Sequence, residues 1–111
     1  MSLFAPLAVA VELRTDDGRR VFRLSRSVAP TGLRLERPAP FEVGRAVTVV
    51  FSLPEEAGAE PLVLRAVVAA ADADGDGEHG GRALEFVAAT ADAEHGIVEY
   101  VKDRLDLPRR A

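Results

Sequence analysis

Apolar and polar residues alternate through most of this chain. Leu7, Val9, Val11 and Leu13 fall on one face of an extended segment and Ala8, Ala10, Glu12 and Arg14 on the other, a period of two that predicts a half-buried strand. Thr15, Asp16, Asp17 and Gly18 supply turn chemistry, with Gly18 free to take positive φ, so a hairpin follows. The returning strand is expected over about 19–27, with Phe22 and Leu24 inward and Arg23 and Ser25 facing the other way. Pro30 stops it: proline donates no ladder hydrogen bond and restricts Ala29, so 29–32 reads as a turn or bulge. Leu33 and Leu35 restart the alternation.

Pro38 and Pro40 bracket a connection that ends in a turn at Val43 and Gly44, and Val47, Val49, Phe51 and Leu53 form the next inward face. An acidic loop over 54–61 leads to a fifth strand over 62–71, with Leu62, Leu64, Ala66 and Val68 on one side. A second loop, 72–81, precedes a short strand carrying Leu84 and Phe86. Near Thr90 the period changes. Ile97, Val98, Val101 and Leu105 recur at helical spacing; Thr90 or Asp92 suits the N-cap, Glu94 the first turn, and Pro108 marks the limit. Six short strands and one terminal helix predict an all-β fold, an antiparallel barrel or sandwich closed at one side by that helix.

Composition narrows the class. A chain of 111 residues is one domain by length. With no cysteine, disulfide frameworks and thiolate metal sites are excluded, which fits a reducing compartment. The apolar run over 3–11 lacks a positive leading region and is broken by Pro6 and Glu12. No segment approaches the roughly 18 apolar residues of a membrane span, so the expectation is a cytoplasmic protein without a membrane partner. A net charge of −4 argues against nucleic acid as a partner. Lys102 is the only lysine, so a bias toward arginine explains many arginine spacings without invoking a ligand.

Few residues are arranged for chemistry. Asp72, Asp74, Asp76 and Gly77 reproduce the opening of a calcium loop, but its twelfth position is Ala83 in place of a bidentate glutamate and its flanks are strands. A solvated hairpin loop is the expected reading, with no metal site. His79 and His95 have no third ligand, and no nucleophile, base and acid stand in a catalytic order. No catalytic residue is assigned and no enzyme is expected. Tyr100 and Arg104 sit four apart on the helix, as rim packing by default or as an outward face. Arg19, Arg23, Arg26, Arg34 and Arg37 are denser in charge than the rest and, on neighbouring strands, read as a solvated polar face by default or as a basic patch while the loops over 54–61 and 72–78 hold the acid.

From Leu7 to Leu105 the chain resembles the PilZ domain family. The resemblance rests on Gly32-Leu33-Arg34-Leu35, the PAPFEVG connection at 38–44, the VTVVFSLP strand at 47–54, the strand ending at Ala69 and Ala70, the strand at 81–86 with Phe86, and the helix at 97–105. It implies a single domain over 1–111: a six-stranded antiparallel β-barrel over about 7–88 and a C-terminal helix over about 91–105. It also implies where a ligand would lie. Ligand-binding members recognise cyclic diguanylate (cyclic di-GMP) through an RxxxR segment before the first strand and a (D/N)xSxxG loop after the second. Planar guanidinium groups there clamp phosphate, and the acceptor side chains read a guanine edge.

Aligned on Gly32, this chain has Ser27 at the Asp/Asn position and Ala29 at the Ser position, and MSLFAP contains no arginine. Arg19 and Arg23 have the RxxxR spacing but sit inside the second strand. The resemblance therefore implies a non-catalytic interaction module in motility or surface behaviour, without a cofactor. It would act through a protein partner, and self-association is compatible with it. The alternative is a non-standard cyclic di-GMP receptor with Arg19, Arg23, Arg26, Ser27 and Gly32 as the ligand-binding set.

Overall fold

The computed structural model describes residues 3–54, 61–69 and 82–105. In chain order they form β1 (Ala5–Pro6), β2 (Ala10–Arg14), β3 (Arg20–Ala29), β4 (Gly32–Leu35), β5 (Ala46–Phe51), β6 (Leu62–Val68), β7 (Ala83–Ala88) and α1 (Ala91–Arg104). Each strand pairing is antiparallel. The ring runs β3, β2, β5, β6, β7, β4 and back to β3, so six strands close a barrel, and the two-residue β1 pairs with β3 beyond the end of β2, on the edge away from β4. Closure leaves the ring without an unpaired edge to manage.

Alternation builds the core where it is unbroken. Along β5, Val47, Val49 and Phe51 are buried while Ala46, Thr48 and Val50 are half-buried. Leu64, Ala66 and Val68 of β6 and Leu84 of β7 meet them inside the barrel. The hairpin before β3 turns through Gly18 at φ 91°, with Gly18 N–H donating to the Thr15 carbonyl at 3.1 Å. Gly44, at φ 88°, makes the turn into β5, a conformation that costs glycine little because it has no Cβ.

β3 departs from the expected orientation. Phe22 and Leu24 were expected inward, but they are 59% and 53% exposed, and Ser25 is fully buried. Register explains the reversal. Val11 and Leu13 are buried and stand directly opposite Arg23 and Val21; opposed residues share a face of the sheet, so the odd-numbered positions of β3 take the inward phase, on which Arg23 is half-buried and its guanidinium reaches out to the Pro38 carbonyl. Between Ser25 and Ser27 the register shifts, and the bulge returns Val28 to the core.

The bulge coincides with a gap in the first strand, which was expected to be continuous from Leu7 and instead splits into β1 and β2. Ser25 fills the gap: its Oγ accepts from Val9 N–H at 3.0 Å and donates to the Leu7 carbonyl. One buried hydroxyl thus replaces ladder hydrogen bonds on which the break would otherwise leave two backbone groups unpaired. Ser25→Ala is expected to cost about 1–3 kcal/mol, the range for stranding buried polar groups, measured as a lower urea midpoint with unchanged slope.

The helix forms where the period changes. Thr90 is its N-cap, the hydroxyl accepting from Ala93 N–H at 3.1 Å. Asp92 and Glu94 lie in its first turn and Lys102 and Arg104 in its last, each favourable to the helix dipole. Ala93, Ile97, Tyr100 and Val101 are its buried residues, and it packs on β1, β3 and β6. Tyr100 belongs to the core, with its hydroxyl donating to the Pro6 carbonyl at 2.7 Å. Arg104 stacks on its ring at 5.2 Å. The acidic residues 55–60, the calcium-like Asp72, Asp74, Asp76 and Gly77, and His79 lie outside the described residues.

Candidate functional site

The bulge that re-phases β3 also builds a cleft. Ser27 stands opposite Pro6 on one side and Arg34 on the other, so three strands bring these residues to one outward surface. Phe4, Arg26, Leu35 and Arg82 complete a cleft of about 390 Å³. Arg34 lies over the Phe4 ring at 4.0 Å, a cation–π contact that holds its guanidinium in a fixed plane. The Nε of Arg82 is buried and has no hydrogen-bond partner among the described residues. Such a donor is rare in a folded protein.

Three guanidinium groups, one hydroxyl and an aromatic ring suit an anion, since guanidinium forks match carboxylate and phosphate oxygens two at a time. Among the described residues, those lining the cleft include no carboxylate and no carboxamide. Guanine presents N–H donors on its pairing edge, and here Ser27 offers them a single hydroxyl acceptor. Ala29 is fully buried and paired with Gly32; a hydroxyl placed there would lie in the barrel wall, out of the cleft.

The five residues considered from sequence separate in space. Arg26 and Ser27 line the cleft. Arg19 instead stacks over Phe41 at 5.0 Å. Arg23 donates from Nε to the Pro38 carbonyl at 3.2 Å and from Nη1 to the Phe22 carbonyl at 2.9 Å. Neither lines the cleft. Gly32 serves the backbone, because a Cβ there would stand 2.5 Å from the Leu84 carbonyl oxygen.

The expected patch of five arginines is likewise divided. Arg26 and Arg34 face the cleft, while Arg23 and Arg37 line a separate groove. Phe4 and Arg82 were not singled out from sequence. The pairing of β4 with both β3 and β7 brings Arg34 opposite Ser27 and Ala83, next to Arg82. His95 is exposed on the helix. Among the described residues no three His, Cys, Asp or Glu side chains gather where a metal could bind. No described helix is long and apolar enough to cross a membrane.

Comparison with known proteins agrees with this architecture. The family model described as PilZ domain matches residues 5–103. Among solved structures, the Bacillus subtilis inhibitor of motility (MotI/DgrA) superposes with a TM-score of 0.77 at 20% identity, covering 99% of this chain and 53% of that one. This chain thus spans about half the length of that protein. The PilZ domain of CeSA from a cellulose-synthesizing bacterium gives a TM-score of 0.63 at 17% identity, covering 96% of this chain and 98% of that one. A search of curated proteins finds no match.

Proposed function

The chain belongs to the PilZ domain family, and on that premise we propose that it is a non-catalytic regulatory module that acts through a protein partner and does not read cyclic di-GMP. The observation that carries this reading is the lining of the Ser27 cleft, which among the described residues holds arginines and no carboxylate or amide acceptor. Such a cleft attracts anions through charge, while for the N–H donors of a guanine pairing edge its described side chains offer one acceptor, the Ser27 hydroxyl. Likeness to an inhibitor of motility supports an output in motility or surface behaviour. The proposed setting is the cytoplasm, with no cofactor and no metal.

One observation favours a second reading, a non-standard receptor for the same nucleotide. Arg82, whose Nε is buried without a partner among the described residues, lines the cleft together with Arg26, Ser27 and Arg34, and the guanidinium groups of these arginines suit a bridging phosphate. Arg19 and Arg23 would take no part, since they are engaged elsewhere. Calorimetry separates the readings. The first predicts no heat of binding with cyclic di-GMP at protein concentrations on the order of tens of micromolar, where a complex of about −7 kcal/mol or better is visible. A saturable 1:1 or 2:1 complex, lost in Arg82→Ala, establishes the second.

A further inference from the structure

Beside the cleft, β3 presents a different surface. With its odd-numbered positions inward, Arg20, Phe22 and Leu24 face outward, and both apolar side chains are more than half exposed. Phe22 and Leu24 wall a groove of about 580 Å³ together with Arg23, Glu36, Arg37 and Pro38. The opposite wall is fixed in place: Glu36 N–H donates to the Leu24 carbonyl at 2.9 Å and Arg23 Nε to the Pro38 carbonyl at 3.2 Å. On its other side Phe22 borders a second depression of about 360 Å³ with Ala10, Val50, Pro54 and Pro61. Phe22 is therefore a ridge between two hollows, a shape that apolar side chains of a partner can straddle.

Charge selects the partner. Among the described residues, Arg23, Arg37 and Glu36 are the charged residues of the groove on one side of the ridge and Glu12 that of the depression on the other. Glu12 is already engaged, with Arg20 Nε at 2.7 Å and Arg14 Nη2 at 2.9 Å. Those two guanidiniums, Arg14 foremost and against the opposing effect of burial, hold its carboxyl below the usual carboxylate range. Arg23 donates to neutral carbonyls, which orient its charge without cancelling it. Among the described residues the Phe22–Leu24 groove therefore carries Arg23 and Arg37 against Glu36, an excess of positive charge that favours carboxylates on the partner.

We propose that the Phe22–Leu24 face docks a segment of a partner protein that carries apolar side chains interleaved with acidic ones, the apolar groups seated against Phe22 and Leu24 and the carboxylates on Arg23 and Arg37. A second copy of this chain is the competing occupant, and sedimentation equilibrium separates it from a partner segment. The inference rests on the partner-binding reading above and adds to it the surface and the chemistry of the partner.

The test uses the isotope-labelled full chain and a short peptide of alternating glutamate and leucine, with amide shifts as readout. Saturable shifts are expected on 20–24 and 36–38. Affinity is expected to fall about tenfold or more when lysine replaces glutamate, when serine replaces leucine, or in the Phe22→Ser/Leu24→Ser chain. That double variant lies on the surface and should keep the wild-type melting temperature. Arg37→Glu, which spares the apolar ridge, should reduce the preference for the glutamate peptide over the lysine one. Shifts centred on the Ser27 cleft, or equal response to both charged peptides, overturn the proposal. So does a dimer of the peptide-free chain in sedimentation equilibrium that the double variant abolishes. Failure here leaves the absence of nucleotide heat standing, and nucleotide heat would refute the proposed function whatever the peptide does.

Discussion

Gly32→Ala is expected to lower stability by about 2–3 kcal/mol, at the upper end of ordinary overpacking, and the melting temperature by about 10 °C or more. The added Cβ would lie 2.5 Å from the Leu84 carbonyl oxygen, 3.5 Å from its carbon and 3.6 Å from the Glu85 Cα. All three are backbone atoms and cannot swing aside. Gly32 pairs with Ala29 on β3 and Glu85 on β7, so relief requires parting β4 from β7, one of the contacts that close the ring. Gly18→Ala is the control: nothing lies within 4 Å, and only the left-handed φ of 91° opposes the substitution, at about 1 kcal/mol. Thermal unfolding by circular dichroism checks both. A Gly32→Ala chain that melts with the wild type would contradict the close approach of these strands.

Ile97→Ala is expected to cost about 2–5 kcal/mol, the range for truncating a fully buried aliphatic side chain. Ile97 is 1% exposed and belongs to the one core cluster that joins α1 to the barrel. An exposed residue of the same helix, Lys102, should tolerate alanine within about 0.5 kcal/mol. Urea unfolding of the pair measures the difference. Equal midpoints would mean that the helix does not brace the barrel.

The legibility of this fold varied with the locality of the cause. β5 was plain because every inward position is apolar, and α1 because the period changes at a residue able to cap it. The tight turn at Gly18 followed from local chemistry. β3 was misassigned because Val21, Phe22 and Leu24 offer apolar residues in both phases, and what chooses between them is pairing with Val11 and Leu13 on another strand. A bulge then changes the phase again before Val28, and no period of two counts across it. Ser25 carried no sign of burial, since its partners at Leu7 and Val9 are backbone groups.

The candidate site divides in the same way. Arg26 and Ser27 were found because they belong to the loop by which the PilZ resemblance is recognised. Arg34 stood out as one charge among several and as part of the Gly32–Leu35 segment, and its position opposite Ser27 depends on the register between β3 and β4. Phe4 and Arg82 reach the cleft through barrel closure, a contact between distant parts of the chain that local spacing does not encode. The same closure leaves Arg19 and Arg23, whose spacing suggested a clamp, at Phe41 and Pro38.

The central claim is that the Ser27 cleft attracts anions without reading guanine. The most direct measurement is a titration of the chain with cyclic di-GMP, followed at low and high salt through the arginine side-chain resonances and the guanine imino protons. The account predicts weak shifts at Arg26, Arg34 and Arg82 that vanish as salt screens the charge, with imino protons still exchanging freely with water. A saturable complex that survives high salt and protects those imino protons would contradict it.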